Sequence, residues 1–95
     1  MNPLPRVQMI QQRLIEALAP LHLDVADDSA RHAGHAGARA GGGHYNVIIV
    51  AAAFAGKGLV ERHRMVYAAL SDALHREIHA LSIKAYTPEE APSGL

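Results

Sequence analysis

Apolar residues in the first twenty positions recur at helical spacing. Val7, Ile10, Leu14 and Leu18 fall on one side, and Gln11, Gln12, Arg13 and Glu16 fill the polar side. Pro3 and Pro5 precede this segment and Pro20 stops it, so the pattern predicts a helix from about Pro5 to Ala19. The period then shortens to two. Leu23 and Val25 alternate with Asp24 and Ala26, which predicts a short strand within Leu21 to Ser29 with one wetter face. The β-branched run Val47-Ile48-Ile49-Val50 predicts a central strand over His44 to Ala53, because its apolarity is continuous. After Gly56-Lys57-Gly58 turns the chain, Leu59, His63, Val66, Leu70 and Leu74 return to helical spacing over about four turns. Ile78 to Tyr86 alternates again: His79, Leu81, Ile83 and Ala85 share one face, and Ser82, Lys84 and Tyr86 the other.

The order helix, strand, strand, helix, strand has no internal repeat, and its natural packing is α+β. A three-stranded mixed sheet is covered on one face by two helices. The first two strands are joined by Ala30 to Gly43, a glycine- and alanine-rich stretch with no side chain suited to anchor a core. It is expected to be a mobile loop, longer than most hairpin loops. Residues 1–90 are expected to form one domain, ending at Thr87-Pro88-Glu89-Glu90, with 91–95 as a flexible tail.

Composition narrows the class. The 95 residues are about half apolar, enough for one modest core. Their formal net charge is zero with histidines neutral, which weighs against a dedicated nucleic-acid binder. There is no cysteine, so a disulfide framework and a cysteine nucleophile are both excluded. No apolar run approaches the ~20 residues that span a bilayer. The first residues lack the layout of a secretion signal, so the expected location is cytoplasmic, with no membrane partner.

Seven histidines without a single thiol change the picture most. Imidazole titrates near neutrality and binds borderline metals. This chain can therefore offer nitrogen ligands, but a thiolate-rich centre would need sulfur from elsewhere. His32 and His35, spaced H-x-x-H in the glycine-rich stretch, have no evident packing duty. They read either as solvated loop residues or as donors for a metal that a partner offers. His44 opens the central strand and is placed to share a cavity with His79. By pattern alone His79 reads as a strand-end histidine packed beside Leu81, and His63 as a buried histidine bonded to backbone or carboxylate. His22 and His75 read as surface residues. Lys57, Arg62 and Arg64 make a small basic cluster diluted by Glu61. Catalysis is not expected: no serine has a nucleophile-elbow context, and the adjacent Asp27 and Asp28 would point to opposite faces of a strand. Zinc ligation by His32, His35 and His44 would lack the outer-shell partners that such sites use.

Four stretches together resemble the BolA-like family. They are Asp27-Asp28-Ser29-Ala30-Arg31-His32; His44-Tyr45-Asn46-Val47; Phe54-Ala55-Gly56-Lys57 with Arg62-His63-Arg64-Met65-Val66-Tyr67; and Ile78-His79-Ala80-Leu81-Ser82-Ile83 followed by Thr87-Pro88-Glu89-Glu90. In order and at the right spacing, they cover roughly Val7 to Glu90. The resemblance implies a fold related to the type II KH domain. It also implies a monomer that forms a heterodimer with a monothiol glutaredoxin in iron–sulfur and iron handling. By the same resemblance, His79 is a ligand to a shared [2Fe–2S] cluster and His32 the loop-side ligand, with His35 an extra candidate and His44 an alternative. Two nitrogens on one iron would give the Rieske arrangement, the sulfurs coming from a glutaredoxin cysteine and glutathione. No cluster is expected on the isolated chain.

A second role implied by the resemblance is DNA binding and transcriptional control. It would use Gly56, Lys57 and Gly58 with Arg62 and Arg64 on the following helix. The chain departs from the family in two places. It lacks the tryptophan often found after Thr-Pro-Glu-Glu, and its turn reads Gly-Lys-Gly rather than the Gly-x-x-Gly that clamps a nucleic-acid backbone.

Overall fold

The computed structural model describes residues 4–27, 43–71 and 78–93. Helix α1 spans Leu4–Leu18, strand β1 His22–Asp27, strand β2 Gly43–Val50, helix α2 Leu59–Ala69 and strand β3 Ile78–Tyr86. A 3₁₀ turn, Ala52–Phe54, follows β2. The strand expected to run through Ala53 therefore stops at Val50. Ala51 and Phe54 are buried while Ala52 and Ala53 are exposed, which does not fit the alternation of a strand.

The sheet order is β1-β2-β3. β1 runs antiparallel to β2, and β3 runs parallel to it, so the sheet is mixed with the most apolar strand in its centre. Val25, Val47 and Ile83 form one row across the sheet, and Leu23, Ile49 and Ala85 another. These rows face the helices. They join Ile10 and Leu14 of α1, Val66 of α2, Leu70 at its end, and Phe54 in a single core. The sheet is thus covered on one face, as the pattern required, and the structure is α+β.

Helix α1 ends on Ala19, which takes a left-handed φ of 45°. Its amide still donates to the Ile15 carbonyl (3.1 Å), and Pro20 prevents further helix. In α2 the apolar stripe is narrower than its spacing suggested. Val66 and Leu70 are fully buried, but Leu59, the first residue of the helix, is 66% exposed. Leu74 lies outside the described residues.

Candidate functional site

The topology sends the chemistry-bearing residues to two opposite ends of the sheet. At one end lie the close of β1 and the starts of β2 and β3. Asp27 pairs with Tyr45, and Tyr45 with Leu81. The chain leaves this end at Asp27 and returns to it at Gly43, so both anchors of the histidine-bearing stretch are here. His44 is the second residue of β2 and is half-buried. It pairs with Ala80, while Gly43 pairs with Ile78, so the register shifts at this point and residue 79 is the extra one in β3. A bulge of this kind interrupts the ladder and re-aims the local backbone. Adjacent strands lie about 4.8 Å apart, which makes His44 and His79 backbone neighbours. His44 shares the open face of the sheet with Asn46 and Ile48, whereas Leu81 and Ile83 turn to the helices. His32 and His35 lie outside the described residues.

The donor set at this end suits half of a binuclear iron site. Each of two neighbouring strands carries a histidine at this end, and the chain has no thiolate to complete four ligands on each iron. Among the described residues no group of three or more His, Cys, Asp or Glu converges on a metal-sized position.

The other end carries the basic cluster. β2 runs about 23 Å from His44 to Ala51 at strand rise, so the two ends are well separated. Gly56 has a φ of 76°, the left-handed conformation that glycine adopts at no steric cost. Gly58 caps α2, its carbonyl accepting from the Arg62 amide (3.0 Å). These two glycines shape the turn into the helix, and nothing lies within 4 Å of where a Cβ would stand at either.

Arg62 is consumed by the structure. Its Nε donates to the Lys57 carbonyl (2.8 Å) and its Nη1 to the Ala85 carbonyl (3.1 Å). Nη1 and Nη2 also donate to the two carboxylate oxygens of Glu90, a bidentate pair. Its guanidinium carbon lies 6.0 Å from the centre of the Phe54 ring, and its side chain is only 12% exposed. Glu90 reaches back as well, its Oε1 accepting from the Thr87 amide (2.9 Å). The Arg62 hydrogen bonds, followed by that of Thr87, pull the Glu90 carboxyl down to about 2 from its ordinary 4.5. The same partner raises the Arg62 pKa. Lys57 is also paired, with Glu61 at 3.3 Å across an exposed helix turn. Of the three cations, Arg64 is the one not engaged with a described carboxylate.

Sequence reasoning took Thr87-Pro88-Glu89-Glu90 as an ending and missed its work. The spacing T-x-x-E with proline in second place is the signature of a capping box. The structure realises half of it, with the Glu90 side chain on the Thr87 amide and the Thr87 carbonyl accepting from Glu90 and Ala91. His63 also differs from expectation. It is half-buried, and its Nε2 is sealed from solvent with no hydrogen-bond partner among the described residues. His22 is half-buried rather than fully exposed, and His75 lies outside the described residues.

A family model described as "BolA-like protein" matches residues 14–90. Among curated relatives, the chain is 47% identical over 90 residues to "SufE-like protein 1, chloroplastic/mitochondrial" of Arabidopsis thaliana, covering 90% of this chain and 24% of that protein. It is 43% identical to "Protein BOLA1, chloroplastic" of the same organism, covering 93% of this chain and 57% of that one. It is 36% identical to the "DNA-binding transcriptional regulator BolA" of Escherichia coli (strain K12), covering 87% and 76%. The chain therefore spans about a quarter and just over half of the first two relatives. Among solved structures, the "BolA domain of SufE1 from Arabidopsis thaliana" superposes with a TM-score of 0.80 at 45% identity, over 90% of this chain and 95% of that one. The solution structure of BolA1 from Mus musculus superposes with 0.75 at 34% identity, over 96% and 79%.

Proposed function

This chain belongs to the BolA-like family, and from that premise we propose that it is a non-catalytic adaptor. It pairs with a monothiol glutaredoxin and shares a [2Fe–2S] cluster with it in iron–sulfur assembly, trafficking or iron regulation. The observation that carries this reading is the convergence at one sheet end of His44, residue 79 and both anchors of the histidine-bearing stretch. His79 and one of His32, His35 or His44 would hold one iron through imidazole nitrogen. The sulfur ligands would come from the partner's cysteine and glutathione, since the chain supplies none. Imidazole ligates only when neutral, so the shared cluster is expected to fail in mild acid. The absence of thiols suits a reducing compartment, and the reading places the adaptor in the cytoplasm.

The test is reconstitution with glutaredoxin, iron, sulfide and glutathione, followed by visible absorption and circular dichroism. A mixed-ligand spectrum that appears only with both proteins is expected. A stable cluster on this chain alone, without any thiol, would refute the reading.

DNA-binding control of transcription is the second reading, favoured by the Escherichia coli relative, which is named a DNA-binding transcriptional regulator. Against it stand the zero net charge and the engagement of Arg62 and Lys57 with carboxylates. A cationic surface already neutralised from within releases few counterions from DNA.

A further inference from the structure

Strand β3 is an edge of the sheet, bonded to β2 on one side only. Two hydrogen bonds fix the direction of its backbone groups. The Tyr86 carbonyl accepts from the Ala51 amide, which continues β2 (3.0 Å), so it points into the sheet. Successive residues of a strand turn their backbone groups to opposite sides. The groups of Leu81, Ile83 and Ala85 therefore point out of the free edge. The Ala85 carbonyl agrees with this, because it accepts from Arg62 Nη1 (3.1 Å) and not from a strand. Among the described residues, nothing bonds to the outward groups of Leu81 and Ile83. A row of unpaired groups of this kind is a template for another strand.

We propose that Arg62 is the guard of this edge: held by Glu90, it occupies the acceptor that a second copy of the chain needs in order to add its own β3. An antiparallel pair about a twofold axis is the self-complementary way for one edge to meet itself. With Ile83 on the axis, Ile83 faces its counterpart and Leu81 faces Ala85 of the other copy. All of these residues point their backbone groups outward, so each facing pair would exchange two hydrogen bonds. The Leu81–Ala85 pair occurs twice, and each time the Leu81 amide needs the Ala85 carbonyl. That carbonyl is where the guanidinium sits. Sliding the axis to Ser82 leaves only Leu81 and Ile83 to bond, because residue 79, the next in line, lies in the bulge. The guard is itself anchored: Glu90 takes both ends of the guanidinium and the Lys57 carbonyl takes Nε. With Ile83 on the axis, Ser82 on the open face stands against Lys84 of the other copy. No like charges meet there, so the guard and not charge repulsion keeps the edge single.

The experiment is sedimentation equilibrium of the iron-free chain, with folding checked by circular dichroism. The parent should stay monomeric into the millimolar range. Arg62→Met should form a dimer at least about tenfold more tightly, as two recovered hydrogen bonds allow. Glu90→Ala removes the anchor at an exposed site and should shift the equilibrium the same way by less. On either background, Ser82→Asp should tighten the dimer by meeting Lys84 of the other copy, and Ser82→Lys should loosen it, each by at least about twofold. A folded Arg62→Met that stays monomeric would overturn the proposal. So would a parent that dimerises as readily as the variants, or association indifferent to the charge at residue 82. Should Arg62→Met fail to fold, Glu90→Ala decides: a monomer overturns the proposal, and a dimer that follows the charge at residue 82 supports it. Neither iron nor glutaredoxin is present, so the cluster reading stands or falls in separate measurements.

Discussion

Arg62 and Glu90 close the molecule: the guanidinium grips both carboxylate oxygens of a residue 28 positions later. The same side chain holds the carbonyls of Lys57 and Ala85. One residue thus ties the turn before α2, the end of β3 and the closing turn into a single corner. Charge-assisted bidentate pairs of this kind are geometrically selective, and lysine does not reproduce them. The conspicuous arginine of the basic cluster is therefore a structural clamp.

The clamp predicts a dependence on acid. Glu90 has its folded pKa lowered to about 2 from 4.5. A depressed carboxyl contributes stability that is present above its unfolded value and is lost as pH falls toward the folded one. Glu90→Gln should therefore lower the melting temperature at neutral pH. Its deficit against the parent should shrink between about pH 4.5 and 2. Arg62→Lys should show most of the same loss. Equal melting curves at pH 7 would show that the pair is inert.

Much of this architecture was legible because burial imposes a period. β3 was bounded correctly from its alternation, and α1 to within a residue, since each buries one regular stripe. The end of β2 was misplaced because Ala51 to Ala53 carry no polar residue to mark a change of period. Leu59 shares the helical phase of Val66 and Leu70 but not their burial, because a stripe records phase and not what lies against it. Of the candidate site, the two histidines at strand starts were legible as positions. Their nearness follows from the strand order, but the register shift between them does not, because it leaves no local signal. Arg62 looked like a solvent-facing cation because a long-range hydrogen-bond acceptor is invisible to spacing rules.

Ala19 is expected to be a point of relievable strain. Its left-handed φ of 45° costs a residue with a Cβ about 1–2 kcal/mol. Ala19→Gly should remove that cost while adding some freedom to the unfolded chain. The net expectation is a gain of about 0.5–1 kcal/mol by urea denaturation. Gly56→Ala should do the reverse, losing about 1 kcal/mol at φ 76° although the space around it is open. Opposite signs for these two changes would confirm that backbone conformation governs both.

Phe54 links the clamp to the core. It is fully buried beneath the Arg62 guanidinium. Phe54→Ala should cost about 3–5 kcal/mol, as truncating a buried aromatic does. Phe54→Leu should cost markedly less, because most of the buried volume is kept. Comparable losses would mean that the ring's position over the cation matters more than its volume.

The basic end makes a prediction against the DNA-binding reading. Arg64 is the cation left without a described carboxylate partner. Arg64→Ala should flatten the salt dependence of any duplex binding by about one unit of slope. Lys57→Ala should change it less, because Glu61 already offsets the charge. Measured above about pH 7, where histidines are mostly neutral, binding should be weak and indifferent to sequence. A dissociation constant of about 10⁻⁸ M or tighter for one sequence, at near-physiological salt, would make DNA the principal partner.

The cluster reading is tested most sharply at the bulge. His79→Ala should abolish the spectrum of the cluster shared with glutaredoxin while leaving the fold intact. The residue occupies the extra position in β3 and pairs with no single partner in β2, so the ladder does not depend on it. His32→Ala should shift the spectrum without erasing it, because His35 lies three positions away and offers the same nitrogen. The double change at His32 and His35 leaves His44 as the remaining loop-side donor. If His44 then takes the iron, adding His44→Ala should remove the cluster, and the double variant should keep a distinct spectrum of its own. Docking of the two proteins without iron should survive all of these changes. Each variant is reconstituted with glutaredoxin, and the reduced cluster is read by circular dichroism and electron paramagnetic resonance. Two nitrogen ligands on one iron raise the reduction potential above that of an all-sulfur cluster, so loss of a histidine should also lower the potential of whatever cluster remains. An unchanged spectrum for His79→Ala would take this residue out of the site, and the convergence at that sheet end would no longer support a shared cluster.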